Sequence, residues 1–315
     1  MVYVVLITGV NKGIGKGFAQ AYLSRPNHLV IGSIRDTATA SSQAEELQSF
    51  PAAEGSKLLL VKIESTSPTD AGSAIQTVKD AGVDHLDLVI ANAGGSPLPT
   101  TPIESVDAQE MTTVYQVNAV GPLMLYQACR PLLQKAQCPK WISISTGGAS
   151  MALMGEIHSW DGSSYAAAKA SLNWITRAIH CSQELIIAAV LNPGLVQTEP
   201  GNWIAKKWGL EKATYTVEES VTGMMKIIDG ATRQRTSGKF LRFSGEELPC
   251  DPEELEITES GRVSVKIPWD SATGPSQGYK TTFWASPSGE PKNYKCSCVD
   301  TGSSTNSNHN HIDKN

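Results

Sequence analysis

From residue 1 to about 249 the chain alternates short apolar runs with longer amphipathic stretches. The runs span residues 4–8, 29–33, 58–63, 86–91, 141–145, 186–191 and 238–243. Most are apolar throughout rather than at every second position. That suits strands covered on both faces of a parallel sheet. Helical periodicity falls between them, over 15–24, 41–50, 69–80, 107–135, 163–183 and 217–230. Strand–helix alternation at this spacing predicts an α/β fold, a doubly wound parallel sheet with right-handed crossovers.

Beyond residue 249 the pattern stops. Residues 250–315 hold few apolar clusters and no helical period, and they end in a polar, low-complexity run rich in Ser, Asn and His. Residues 263–267 suit one short strand. The reading is therefore a single domain, 1–249, followed by a largely irregular, disordered polar tail, 250–315.

Composition narrows the function. Of 315 residues, 40% are hydrophobic and 18% charged, enough to bury a core, and the net charge is −5. No basic field exists to gather nucleic acid or anionic lipid, so neither is expected as a partner. No apolar run approaches the roughly 18 residues that span a bilayer. The amino terminus has neither a basic region nor a small-residue cleavage site, so a cytoplasmic location is expected. Cys129, Cys138, Cys181, Cys250, Cys296 and Cys298 match no zinc spacing; no metal and six free thiols are expected.

Candidate chemistry begins after the first strand, at Thr8-Gly9-Val10-Asn11-Lys12-Gly13-Ile14-Gly15. Gly9 permits a sharp turn, Gly13 lets backbone approach a pyrophosphate, and Gly15 lets helix and strand pack closely. The helix amino terminus then offers free N–H groups to the phosphates. Strand before and helix after make this a dinucleotide turn, and the sheet Rossmann-type. The second strand ends Gly32-Ser33-Ile34-Arg35-Asp36. Ser33 and Ile34 are uncharged where an NAD site usually places an acid. Arg35 and Lys12 suit a 2′-phosphate, so NADP(H) is favoured. Asp36 alone complicates this, by reaching the ribose or pairing with Arg35. Asn92-Ala93-Gly94 follows the fourth run, and its small residues let a flat ligand pass close to backbone.

Tyr165 and Lys169 sit one helical turn apart, hence on one face. A phenol at pKa about 10 exchanges protons poorly at pH 7, and a nearby ammonium lowers that value. The pair reads as a general acid and its electrostatic partner.

In order and spacing, five elements resemble the short-chain dehydrogenase/reductase family over about residues 3–249: the turn Thr8–Gly15, Asn92-Ala93-Gly94, Asn118, Tyr165 with Lys169, and Pro193-Gly194-Leu195-Val196-Gln197-Thr198. Within it the chain is most similar to the norsolorinic acid ketoreductase-like subgroup of fungal secondary metabolism, which reduces polyketide ketones. The resemblance implies that Tyr165 protonates a carbonyl oxygen as hydride arrives from NADPH. Lys169 would bind the nicotinamide ribose, and Asn118 would hold a water in the proton relay. Pro193, Gly194, Val196 and Thr198 would hold the nicotinamide end, and Glu64 would contact adenine. The family's substrate-orienting serine corresponds to Thr146, which keeps the hydroxyl. Its spacing to Tyr165, 19 residues, is longer than usual, which leaves Ser145 or Ser150 as alternatives.

The additional residues 147–162 and those after Thr198 are expected to shape a bulky, hydrophobic substrate pocket, with Met151, His158 and Trp203 as candidate lining. Arg177 and His180 are expected to face solvent or a partner. The helices 107–135 and 163–183 carry the family's pairing surface, so a homodimer or homotetramer is implied. The leading function is an NADPH-dependent ketoreductase acting on a polyketide-like ketone. The alternatives are a non-catalytic NADP(H) sensor, or a dehydratase or epimerase on the same scaffold.

Overall fold

The computed structural model describes residues 2–35 and 40–250, the side chains of 40–43 excepted, and the backbone of 283–285 and 291–293. Residues Met1–Pro252 group as one compact unit, which carries a seven-stranded sheet. Its strands are β1 (Tyr3–Thr8), β2 (His28–Ile34), β3 (Lys57–Lys62), β4 (Leu88–Ala91), β5 (Lys140–Ile144), β6 (Ile187–Asn192) and β7 (Phe240–Arg242). They lie in the order β3-β2-β1-β4-β5-β6-β7, and every adjacent pair is parallel. The helices are α1 (Gly13–Leu23), α2 (Ala40–Gln48), α3 (Asp70–Asp80), α4 (Ala108–Tyr115), α5 (Gly121–Leu133), α6 (Met154–Ile157), α7 (Ser163–Ser182), α8 (Glu199–Lys207) and α9 (Val217–Asp229).

The continuous apolar runs are explained by cores on both faces. Val4 and Leu6 of β1 pack with Ile75 and Val78 of α3 and Leu125, Cys129 and Leu132 of α5. Val5 and Ile7, pointing the other way, pack with Phe18 and Tyr22 of α1 and Val221, Met224 and Ile228 of α9. Strand order reverses between β1 and β4. Their carboxyl ends open a crevice there, the usual ligand position in such sheets.

Three departures from the sequence reading have identifiable physical causes. The expected helix over 107–135 divides into α4, a π turn (Gln116–Val120) and α5. Asn118 sits in that turn, and its Nδ2 donates to Val114 O at 2.9 Å, competing with the helical ladder. Helix α8 was not expected. Thr198 caps it, its Oγ1 accepting from Gly201 N, and Pro200 fits its first turn. His180 does not face solvent, and Arg177 is half-buried. His180 is 6% exposed and its Nδ1 lies 2.7 Å from Ser237 Oγ. Arg177 donates to Gly238 O at 2.8 Å. Arg233 donates to Ile186 O at 2.8 Å and to His180 O at 2.6 Å. These bonds pin the end of α7 to the chain entering β7.

In the second unit, Glu253–Asn315, β8 (Phe283–Ala285) pairs antiparallel with β9 (Pro291–Asn293). The expected strand at 263–267 and the polar end of the tail lie outside the described residues. Cys129, Cys138 and Cys181 are free thiols, and Cys296 and Cys298 lie outside the described residues.

Burial, with Arg233 and Arg177 alongside, holds the His180 imidazole down to about 4. An unfolded histidine titrates near 6.5. The unfolded chain therefore takes up this proton first as pH falls. The stability contributed by neutral His180 is complete above about 6.5 and erodes toward about 4. Thermal melts are expected to show Tm falling over this window in wild type and falling less steeply in His180→Gln; equal slopes would contradict the assignment.

Candidate active site

The crevice is built where β1 and β4 end. Thr8 Oγ1 accepts from Asn92 N at 3.0 Å and from Ala93 N at 2.9 Å, and Asn92 Nδ2 donates to Thr8 O at 2.8 Å. These bonds join the glycine turn to the Asn92–Gly94 loop. Gly9 and Gly13 adopt φ of +73° and +58°, the left-handed region that suits glycine. A Cβ on Gly15 would stand 2.2 Å from Gly9 O and 2.5 Å from Asn92 Nδ2, so that position excludes any side chain. No side chain caps α1, whose N-cap is Lys12. Its first-turn amides and positive dipole end are thus available to an anion.

One cavity of about 1620 Å³ runs from this turn to the first turns of α7. A single small-ligand pocket is roughly 300–1,000 Å³, so two ligands fit. At one end it is lined by Gly9, Asn11, Lys12, Gly13, Ile14, Arg35, Glu64, Asn92, Ala93 and Gly94. At the other it is lined by Ser145, Thr146, Tyr165, Lys169, Pro193, Gly194, Val196 and Thr198. Thr8, Gly15 and Asn118 stand behind this lining and position it. Lys12 Nζ makes an exposed ion pair with Glu199 Oε2 at 2.9 Å. Asp36 lies outside the described residues.

At the catalytic end Lys169 is 2% exposed, and its Nζ donates to Ile144 O at 2.8 Å. Nζ lies 5.7 Å from the centroid of the Tyr165 ring. Burial pulls Lys169 down to about 8 and pushes Tyr165 up to about 12. The expected lowering of the tyrosine pKa is therefore not found in this form of the protein. Desolvation dominates, and the ammonium is held to the Ile144 carbonyl. Asn118 is fully buried; its Nδ2 donates to Gly95 O at 2.8 Å and to Val114 O, and its Oδ1 accepts from Gly95 N at 3.1 Å. Its amide protons are thus committed to backbone.

The three hydroxyl candidates separate. Ser145 Oγ is buried without a hydrogen-bond partner, in a residue that lines the cavity. Thr146 Oγ1 accepts from Gly148 N at 3.3 Å and its proton is free to donate. Ser150 lies off the cavity, its Oγ bonded to Pro249 O and Leu153 N. On the substrate side His158 lines the cavity, its ring stacked on Trp160 at 4.8 Å. Met151, 53% exposed, and Trp203 lie outside the lining. Helix α8 turns Ile204 and Lys207 inward, and Trp203 sits about 100° round from Ile204. Trp208 lines the cavity instead, and Lys207 pairs with Asp161 at 3.0 Å. The pattern Thr198-Glu199-Pro200, a cap followed by an early proline, signals α8 in the sequence.

The profile described as short chain dehydrogenase matches residues 3–207. The chain belongs to the short-chain dehydrogenase family. It is an oxidoreductase of that family. It is similar to a short-chain dehydrogenase of Pyricularia oryzae, 50% identical over 246 residues, covering 78% of this chain and 97% of that protein. A norsolorinic acid ketoreductase of Emericella nidulans is 36% identical over 255 residues, covering 78% of this chain and 93% of that one. Among solved structures, NADPH-bound carbonyl reductase from chicken fatty liver superposes with a TM-score of 0.70 and 31% identity, covering 79% of this chain and 94% of that one.

Gly94 joins the two ends of the site. A Cβ there would stand 2.7 Å from Asn118 Oδ1 and 3.0 Å from Lys169 Nζ. Gly94→Ala is expected to displace Lys169 and lower kcat at least about 10-fold while the far-ultraviolet spectrum stays native. Wild-type turnover in that variant would contradict the packing described.

Proposed function

We propose that this short-chain dehydrogenase is an NADPH-dependent ketoreductase that reduces a hydrophobic, polyketide-like ketone to an alcohol. The observation that carries the reading is the convergence of Tyr165, Lys169, Ser145 and Thr146 on the same cavity as the uncapped glycine turn. The names of the norsolorinic acid ketoreductases and of the NADPH-bound carbonyl reductase support it.

The residues fit a dinucleotide. Gly9, Gly13 and Gly94 present bare backbone to the cavity, and a Cβ on them would crowd Ala93, Thr198 and Asn118 respectively. Among the described residues, Lys169 Nζ spends one hydrogen bond on Ile144 O, which leaves two of its three donors for ribose hydroxyls. Lys12 and Arg35, both on the lining, favour a 2′-phosphate, and Glu64 lies on the same lining as the candidate adenine contact. When bound, the cofactor supplies the hydride. The protein's part is to place the carbonyl and deliver the proton. The hydroxyl of Thr146 or Ser145 donates to the carbonyl oxygen and holds it near Tyr165 Oη. Tyr165, still protonated at neutral pH, gives up its proton as the alkoxide forms, and the ammonium of Lys169 steadies the resulting phenolate. Asn118 acts from behind the wall by fixing the Gly95 backbone. The homodimer or homotetramer belongs to the same proposal; Trp174, 72% exposed on α7, offers an apolar contact for it.

Tyr165→Phe is expected to lower kcat about 10²- to 10⁴-fold while NADPH binding changes little. Equal turnover over a broad ketone panel would remove Tyr165 as the acid. The thermal shift with NADP⁺ is expected to exceed that with NAD⁺ at equal concentration, and the reverse would overturn the cofactor choice. Tyr165 keeps its proton up to about 12, whereas Lys169 loses its charge above about 8. The reduction rate is therefore expected to hold from pH 6 to about 8 and then to fall; a rate climbing through that range would contradict the need for the ammonium.

A further inference from the structure

Tyr165 is the third residue of α7. The first amides of a helix find no acceptor within it, and such ends fray unless something outside holds them. The N-cap of α7 is Gly162, which has no side chain to offer. The bond from Lys169 to Ile144 O anchors α7 one turn further along. Proton delivery nevertheless needs the Tyr165 hydroxyl in one place. Whatever fixes this first turn therefore bears on the chemistry.

The outside support comes through Glu110, the third residue of α4. Its Oε1 accepts from Ser164 Oγ at 2.6 Å and its Oε2 from Thr101 Oγ1 at 2.6 Å. Both lengths are those of a hydroxyl bonded to an ionised carboxylate, which is stronger than a neutral pair. Thr101 O in turn accepts from Ser163 Oγ at 3.0 Å and from Ser163 N at 3.3 Å. These bonds close a ring through the loop after β4, the start of α4 and the start of α7. Glu110 is itself held, because Asp107 caps α4, its Oδ1 accepting from Glu110 N at 2.7 Å. A carboxylate also suits the positive end of α7. Glu110 and Tyr165 line the cavity, while Thr101, Ser163 and Ser164 stand outside that lining. Ser163 and Ser164 are buried, so their hydroxyls depend on partners within the protein.

We propose that Glu110 is a positioning residue for proton delivery. Through Ser164 and Thr101 it holds the first turn of α7, and so sets where Tyr165 presents its hydroxyl. The proposal rests on the reductase reading above for the reaction it serves. Each carboxylate oxygen is committed to a hydroxyl, so Glu110 holds rather than reacts. With the ring broken the turn frays, Tyr165 samples other positions, and the acid is in place less often. The glycine turn lies at the other end of the cavity and keeps its own contacts, so cofactor binding is left alone.

The test measures kcat and NADPH binding in Glu110→Ala, Glu110→Gln and Ser164→Ala. Glu110→Ala removes both acceptors. It is expected to lower kcat about 10- to 100-fold, with the NADPH dissociation constant within about 2-fold of wild type. Ser164→Ala cuts one bond and is expected to lower kcat about 3- to 10-fold. The amide of Glu110→Gln can accept from one hydroxyl and donate to the other, and is expected to recover most of the loss. Unchanged kcat in both alanine variants would overturn the proposal. NADPH binding weakened as much as kcat would also overturn it, by showing a general structural role. A second readout needs no turnover: the ring ¹³C signal of Tyr165, assigned with Tyr165→Phe. In Glu110→Ala it is expected to shift or broaden while the signals of Tyr3 and Tyr22, on β1 and α1, stay put. Should Glu110→Ala fail to fold, Ser164→Ala carries the same comparison. Should wild type reduce no ketone, the reductase reading fails on its own and the Tyr165 signal decides. A Tyr165 signal that is the same in wild type and in the alanine variants overturns the positioning role.

Discussion

An ammonium group removed from water organises the catalytic end of this protein. Lys169 is 2% exposed, and a charge in that position is tolerable only with partners. Ile144 O, at the end of β5, supplies one within the protein. That bond fixes α7 against the strand end and sets Tyr165, one turn earlier, into the cavity wall. Lys169 Nζ and Asn118 Oδ1 together crowd Gly94, where a Cβ would stand 3.0 and 2.7 Å from them. The burial that depresses the lysine also holds the proton on the tyrosine. An acid that stays loaded at neutral pH suits reduction. The ammonium is then present to receive the charge left behind.

The sheet brings the other half of the chemistry to the same place. Parallel strands send all their carboxyl ends to one edge, and the order reverses between β1 and β4. Thr8 locks the two loops that leave this switch point. An anion-binding helix terminus and a proton-delivering pair therefore open into one cavity, although more than 150 residues separate them in sequence. Helix α8 closes the far side, tied by exposed ion pairs to the glycine turn through Lys12–Glu199 and to the 3₁₀ turn through Asp161–Lys207. Such exposed pairs contribute little to stability, about 0–1 kcal/mol each.

The sheet was legible in the sequence because burial on both faces leaves unbroken apolar runs, and the site was legible wherever backbone sterics or a helical turn dictates residue type. Gly9, Gly13, Gly15, Tyr165 and Lys169 are of that kind. The features missed depend on which contacts a side chain finds in the folded chain, near or far in sequence. The π turn at Gln116–Val120 needs the Asn118 amide to find Val114 O. The inward face of α8, with Ile204 and Trp208 in place of Trp203, depends on how the helix docks. His180 was misplaced because a polar residue near a helix end resembles a surface one until Ser237 and Arg233 meet it. The tie from Glu110 to Ser164 and Thr101 has no sequence signature, because nearby Ser159 and Thr100 carry the same hydroxyls and find no partner.

The protonation state of Tyr165 in the folded protein bears most directly on this account. Selective ¹³C labelling of tyrosine, with Tyr165→Phe to assign the signal, reports it by NMR across a pH titration. The resonance is expected to remain that of a neutral phenol beyond pH 10 in the cofactor-free protein, as burial requires. Titration near pH 7 without cofactor would mean that Lys169, rather than desolvation, governs the tyrosine, and would contradict the arrangement described.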